Sequence, residues 1–429
     1  MRYVTALAAF LFSLSMALTA QPFVKVKDGR FMRNEKPYYF VGANMWYAPI
    51  LASEGRGGNL SRLVQELDTL QAIGVTNLRI LMGADAGSSQ ASCVSPVLQK
   101  APGQMNDTLL AGMDRLLVEM AKRDMTAVIY LNNAWDWSGG YGFYLQNTGH
   151  GESPASDGEG YASYVKYASA FSTDKAAQAL FFDYIRCMAG RTNALTGIPY
   201  REDPTIMAWQ ICNEPRPFSN DSATLKGFKE WVTQAAHILK ETDPNHLVSV
   251  GSEGIIGCGQ NAQLYQQLHI HPDIDYLTLH IWPLNWNWSS RDRLYEALPN
   301  VYVKSEEYIS QHEFMAKKLN KPMVIEEFGY ARDKNFLGTD TPTRARDSFY
   351  GYVFSKLADS ATGKQSALMG INFWGWGGSG RPTGKQWKHG QDYLSDPPHE
   401  PQGWYSVFDT DQSTLQIIRH TAHVLKSQE

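Results

Sequence analysis

Short β-branched apolar runs recur along this chain with helical segments between them, and that alternation constrains the fold more than any other feature. The runs are Phe40–Asn44, Asn77–Leu81, Thr126–Leu131, Ile206–Ile211, Leu247–Val250, Tyr276–His280, Met323–Glu326 and Leu368–Phe373. They are close to continuously apolar, as strands buried on both faces are. Between them, Leu60, Leu63, Val64, Leu67 and Leu70 repeat at three and four residues, as do Leu225, Phe228, Trp231, Val232, Ala235, Ile238 and Leu239. Each set makes one apolar helical stripe. Strands that alternate with such helices form a parallel sheet. Eight units predict an α/β protein of the closed (β/α)8 TIM-barrel type, with a doubly wound open sheet as the alternative. No low-complexity linker breaks the pattern, so residues 21–429 read as one domain.

The first residues follow another rule. Arg2 precedes an apolar run from Val4 to Ala20, which ends in small residues before Gln21. That is the layout of a secretory signal peptide, read here as residues 1–20. The mature chain is then expected to be secreted, extracellular or periplasmic, with no membrane association after cleavage. The formal net charge of −4 lacks the basic excess of a nucleic-acid binder, so no nucleic acid is expected as a partner. Cys93, Cys187, Cys212 and Cys258 have no metal-type spacing. In an oxidising compartment Cys212–Cys258 is the first pairing to consider, and buried free thiols are the alternative.

Two connections are unusually long, Ala134 to about Phe171 after the third strand and Gly375 to Gly403 after the eighth. Both fall at the barrel end where loops build active sites. Of the 12 tryptophans, ten follow strands one, three, six and eight, and Trp209 and Trp231 fall elsewhere. Any one of them is explained by packing. Together they would line a cleft with flat apolar faces and N–H donors, which suits the CH faces and hydroxyl rims of sugar rings.

Asn213-Glu214-Pro215 ends the fourth strand and Glu326-Glu327-Phe328-Gly329 the seventh. An acid at the end of an apolar strand is costly to bury without a role. Two on different strands can converge across the mouth of a barrel. Glycoside hydrolysis needs such a pair, one acid to protonate the leaving oxygen and one carboxylate to attack or to activate water.

The chain resembles glycoside hydrolase family 5, and within it the β-mannan-degrading group, from about Phe23 to the C-terminus. The motifs that carry the resemblance are Phe40-Val41-Gly42-Ala43-Asn44-Met45-Trp46-Tyr47, Asn77-Leu78-Arg79, Trp135-Asp136-Trp137-Ser138-Gly139-Gly140 and Asn213-Glu214-Pro215. They continue with His280-Ile281-Trp282-Pro283, Glu327-Phe328-Gly329 and Tyr405-Ser406-Val407-Phe408-Asp409-Thr410-Asp411. The resemblance implies Glu214 as acid/base and Glu327 as nucleophile in a retaining reaction, with Glu326 as the neighbour. It implies that Arg79 holds Glu327 ionised, that Asn213 contacts the sugar 2-hydroxyl, and that His280 orients the acid/base and the substrate. Trp374 would stack beneath the sugar, with Trp135 and Trp46 as further substrate contacts. Many family members carry Tyr two residues after the His. Here it is Trp282, whose indole could donate to the nucleophile or shape the subsite wall.

Gly375-Trp376-Gly377-Gly378-Ser379-Gly380 has the dinucleotide-loop spacing, but Arg381-Pro382-Thr383-Gly384 opens no helix after it, so that reading is set aside. His269-Ile270-His271 lacks a third ligand in a recognisable motif, so no metal site is read there. The expectation is a monomeric endo-β-1,4-mannanase acting on β-mannan, without a cofactor. Its alternatives are an exo-β-mannosidase acting on manno-oligosaccharides, whose cleft the Gly375–Gly403 loop would close, a β-1,4-glucanase, and a carbohydrate-binding barrel without catalysis.

Overall fold

A computed structural model describes residues 22–87, 93–156, 158–339, 341–363 and 365–428; the expected signal peptide, residues 1–20, lies outside them. The eight strands are β1 (Phe40–Asn44), β2 (Asn77–Leu81), β3 (Thr126–Tyr130), β4 (Ile206–Gln210), β5 (Leu247–Ser249), β6 (Leu277–Ile281), β7 (Met323–Phe328) and β8 (Leu368–Phe373). Every residue in them is buried. A helix follows each in turn: α1 (Leu60–Ala72), α2 (Asp107–Ala121), α3 (Lys175–Ala189), α4 (Ser222–Thr242), α5 (Ala262–His269), α6 (Leu298–Leu319), α7 (Arg344–Ala361) and α8 (Gln412–Lys426). Side chains of Asn59, Asn106, Asp174, Asp221 and Asn261 accept from first-turn N–H groups and start five of these helices.

The strands pair in the order β5-β4-β3-β2-β1-β8-β7-β6, all parallel. The last strand pairs with the first, as a barrel requires and an open doubly wound sheet does not. At the remaining seam, between β5 and β6, Asp275 N donates to Val248 O (2.8 Å), Thr278 Oγ1 to Ser252 O (2.9 Å) and His280 N to Glu253 O (3.1 Å). A small antiparallel sheet, Lys25–Lys27, Arg30–Arg33 and Lys36–Pro37, precedes the barrel. Its Val24, Phe31 and Tyr38 region packs against Phe40, Leu247, Tyr276 and Val324, which lie at or just before the starts of strands, and so plugs the N-terminal end.

Above that plug the interior turns polar. Asn372 Nδ2 donates to Asn77 Oδ1 (2.8 Å), and Asn77 Nδ2 donates to Thr126 Oγ1 (2.9 Å). Gly42 makes this layer fit, since a Cβ there would stand 2.2 Å from the Asn372 amide nitrogen. Function needs polar groups at the mouth, and these amides carry the hydrogen bonding down into the barrel.

The two long connections behave differently from plain loops. The segment after β3 carries short helices at Gly140–Gln146 and Tyr161–Ala168. The segment after β8 folds back so that Trp376–Gly378 pairs with Val407–Phe408. Its Ser395–Pro398 turn is held by Asp396, which accepts from Gly403 N (2.8 Å), Tyr405 N (2.7 Å) and Ser406 Oγ (2.6 Å). Cys212 and Cys258 are buried free thiols rather than the pair considered above. The Cys212 thiol turns to Asn213 O and the Tyr141 hydroxyl, and that of Cys258 to Ser252, so the sulfurs face different partners.

Asp411 ties the end of the chain to the barrel. Its carboxylate accepts from Arg332 (2.6 and 2.7 Å), Arg346 (2.7 Å) and Phe408 N (2.9 Å), and both arginines are fully buried. Burial acts to raise the Asp411 pKa, but Arg346 and Arg332 outweigh it and hold the carboxyl below its usual value. Asp411→Ala leaves two buried guanidinium groups without their shared partner and should cost about 3–5 kcal/mol, read as a fall in melting temperature by calorimetry. The Asp411 contribution is present above the ordinary carboxylate pKa and is lost as pH falls through the depressed folded value, so the gap between wild type and variant should narrow in acid.

Candidate active site

Glu214 stands four residues past the end of β4, with its N–H bonded to Gly251 O (3.0 Å) beyond β5. Its φ of 49° is left-handed, a conformation that a glutamate adopts only where surrounding contacts enforce it. Asn213, just before it, is fixed by its amide donating to Asn133 Oδ1 (3.1 Å). Glu327 lies inside β7, one residue further into the strand than the apolar run indicates.

Arg79 on β2 joins these positions. It is fully buried, and its Nη1 donates to Glu327 Oε1 (2.5 Å) and Asn44 Oδ1 (3.1 Å). Its Nη2 donates to Asn213 Oδ1 (2.8 Å), and its Nε to Gln210 Oε1 (2.8 Å). The guanidinium lies 4.6 Å over the Tyr130 ring. The other oxygen of Glu327 accepts from the Trp282 indole (3.2 Å), so this tryptophan supplies a donor to the second Glu. Glu214 Oε2 accepts from Trp135 Nε1 (2.7 Å), while its Oε1 lies 2.7 Å from His280 Nδ1. One oxygen of each glutamate and a ring nitrogen of His280 lie within 4.8 Å of one another. That spacing lies nearer the ~5–5.5 Å of retaining enzymes than the ~6.5–9.5 Å of inverting ones.

Burial raises the pKa of both carboxyls, and the Glu214 charge raises Glu327 further, so the pair holds a proton that two separated, solvated glutamates would lose. Donors from Arg79 and Trp282 occupy both oxygens of Glu327, an arrangement that favours its ionised form against burial. Burial, reinforced by Arg79, pushes His280 well below its ordinary pKa. A neutral imidazole can accept from a protonated carboxyl at Glu214. The Glu214–His280–Glu327 cluster has a spacing that could also suit a cation, but the N–H groups of Arg79, Trp135 and Trp282 aim their positive ends at the same oxygens. A charge-assisted acid pair fits these donors better.

The site opens into a cavity of about 480 Å³ walled by Trp135, Trp137, Trp282, Trp286 and Trp374 together with Asn213 and both glutamates. Among the residues expected from sequence, Arg79 and His280 stand behind this wall and touch the glutamates. Trp46 does not line the cavity. It is buried, donates its indole N–H to Ser395 O (2.9 Å) and packs edge-on against Trp137, because a side chain just past a strand end can turn behind the wall as well as into the mouth. The sequence reading passed over Arg216, Glu253 and Glu400, which also line the cavity. Arg216 donates to Glu253 (2.6 Å) and lies 5.2 Å over the Trp135 ring. Glu253 follows β5 and could have been found by the same strand-end argument as Glu214. Glu400 sits in the β8 loop, where no periodicity marks it; burial, with Asp396 and Glu214 nearby, pushes its carboxyl up to about 8.

Comparison with known proteins agrees with this geometry. The sequence matches the description "GH family 5 beta-mannosidase-like" over residues 21–429. The chain belongs to glycoside hydrolase family 5. It is similar to a family 5 mannosidase from Rhizomucor miehei, with 33% identity over 95% of this chain and 98% of that one and a TM-score of 0.86. A mutant of that enzyme was solved in complex with mannosyl-fructose. Mannan endo-1,4-beta-mannosidase 1 of Oryza sativa subsp. japonica is 28% identical over 82% of this chain and 78% of its own length. The endo-beta-1,4-mannanase of Thermotoga petrophila, at 21% identity, a TM-score of 0.67 and coverage of 92% and 78%, shares the fold. This family 5 chain is thus a glycoside hydrolase on a (β/α)8 barrel.

With Glu327 as nucleophile and Glu214 as acid, the roles that the resemblance implies, kcat/KM of this family 5 enzyme should be bell-shaped in pH, falling in acid as Glu327 takes up a proton and in alkali as Glu214 loses its own. Glu214→Gln should lose about 10²–10⁴-fold on substrates whose leaving group needs protonation. On an activated aryl β-mannoside the variant should retain measurable turnover without the alkaline limb. An alkaline limb unchanged in that variant would assign it to another group.

Proposed function

We propose that the chain hydrolyses β-1,4-mannosidic bonds of mannan-type substrates by double displacement with retention. Glu327 Oε attacks the anomeric carbon while Glu214 gives its proton to the departing glycosidic oxygen, leaving a glycosyl ester on Glu327. Glu214, now ionised, takes a proton from a water that attacks the same carbon from the vacated face. The C–O bond to Glu327 breaks, and the sugar leaves with its original configuration. The observation that carries this reading is the close spacing of the two carboxyls, with Arg79 and Trp282 donating to both oxygens of Glu327. Mannan as substrate is supported by the names of the relatives and by the beta-mannosidase-like group to which the chain belongs. Asn213 would hold the 2-hydroxyl, where bonding strengthens in the transition state, Trp374 would stack on the ring in the reacting subsite, and Trp135 would position Glu214 and face the sugar.

Endo cleavage is the activity named for the plant relatives. A specific feature favours the second mode, release of mannose from chain ends. Pro397, His399 and Glu400 of the β8 loop line the catalytic cavity itself. The loop is braced from behind by Asp396 and Trp46, and His399 stacks 6.3 Å from Trp137. A wall so held would shorten the cleft. Among the described residues no helix is long and apolar enough to cross a membrane. Secretion through the Val4–Ala20 leader, a single catalytic domain over residues 21–429 and a monomeric state complete the proposal.

A product time course on linear β-1,4-mannan checks the mode. Mannose from the first minutes, with little loss of viscosity, is the expected result; an early ladder of oligosaccharides would mean that the β8 loop leaves the cleft open. Glu400→Ala should lower kcat/KM on manno-oligosaccharides roughly 10–100-fold through loss of a buried hydroxyl partner, and an unchanged value would remove Glu400 from the sugar-binding wall.

A further inference from the structure

Glu326 is fully buried, precedes the nucleophile and does not line the cavity, so it cannot meet the substrate. Its setting is nonetheless specific. Gln210 Nε2 donates to both of its oxygens (2.7 Å each) and to Ser249 Oγ (3.0 Å), while the carbonyl end of the same amide accepts from Arg79 Nε. An amide has one donor end and one acceptor end, so Gln210 fits only where a cation donor lies on one side and a carboxyl acceptor on the other. Tyr276 OH donates to Glu326 Oε1 (3.3 Å), and Arg79 Nε lies 3.8 Å from Oε2. Arg79 therefore stands between two carboxyls, Glu326 on one side and Glu327 on the other.

The groups that face Glu326 are few. Arg79 comes from β2 and Tyr276 from the residue before β6. The Tyr265 hydroxyl of α5 is close enough to feel the charge. Glu327 is its chain neighbour, with His280 of β6 beyond. Gln210 of β4, Ser249 of β5 and Asn44 of β1 contribute neutral groups. Arg79 is the one cation in this set, and it also acts on Glu214, whose acid form its positive charge disfavours.

We propose that Glu326 is a positioning residue for the reaction: held beside Arg79 by Gln210, its ionised carboxyl offsets the guanidinium charge and so keeps the acid/base Glu214 protonated to higher pH. Burial pushes the Glu326 carboxyl up to about 7. On the acid side of the profile it is neutral, and Arg79 acts undivided on Glu327, which must be ionised. On the alkaline side it is ionised and cancels Arg79, just where Glu214 must hold its proton. The two demands on one arginine are met by a group that changes charge between them. This rests on the assignment of Glu214 and Glu327 given above.

The test is the pH profile of kcat/KM on a β-1,4-manno-oligosaccharide for wild type, Glu326→Gln, Glu326→Asp and Tyr276→Phe. Glu326→Gln keeps the shape and removes the charge, so the alkaline limb should move down by roughly 0.5–1 pH unit with the acid limb moving less. Glu326→Asp keeps the charge and should hold the limb near its wild-type position. Tyr276→Phe removes a donor to the ionised form, so the limb should shift down by a smaller step, and this variant decides the matter if Glu326→Gln does not fold. A Glu326→Gln enzyme slowed equally at all pH values, with both limbs in place, would make Glu326 a packing residue and overturn the proposal. Near-wild-type turnover in Glu327→Ala would overturn instead the reading of the site on which it rests.

Discussion

A guanidinium with no access to water has to find all its partners inside the protein, and Arg79 finds them on or just past three other strands. Asn44, Gln210, Asn213 and Glu327 come from β1, β4, the β4 exit and β7, and they meet only when the sheet has curled into a barrel. A buried cation deprived of one partner costs several kcal/mol, so the closure of the sheet and the geometry of the site are enforced by the same bonds. The charge also orders the chemistry. It lowers the pKa of both glutamates against the effect of burial, and it helps to keep His280 neutral.

The aromatic wall divides the labour differently. Five tryptophans face the cavity, but their neighbours decide what each can do. Trp135 and Trp282 give their N–H groups to the two glutamates, so the same rings that would meet sugar also hold the acids in place. Trp46 and Trp376 face away, the one tied to Ser395 and the other to Glu66 through its indole (2.9 Å). They brace the β8 loop rather than contact ligand. A loop anchored by buried indole hydrogen bonds and by Asp396 can present Pro397, His399 and Glu400 at fixed positions, which is what shaping a subsite demands.

Periodicity was a good guide where burial on two faces imposes a continuous apolar run. All eight strands fall where such runs lie, with differences of one or two residues at their ends. β7 extends through Phe328, because the Glu327 side chain has partners inside the barrel and need not end the strand. The long segment after β3 read as loop because its helices, Gly140–Gln146 and Tyr161–Ala168, are short and aromatic rather than amphipathic over several turns.

The sequence by itself determined the alternation that makes a barrel, the two strand-end acids and the family to which they belong, since each of these is a local pattern of burial or a short run of residue types. Tertiary structure alone decided that Glu326 turns inward to Gln210 while Glu327 turns to the cavity, that Trp46 stands behind the wall, and that Glu400 reaches into the site from a loop without periodicity. Those outcomes depend on which groups from distant parts of the chain lie within a few ångströms of one another in a medium that water does not reach, and no stretch of sequence encodes that locally.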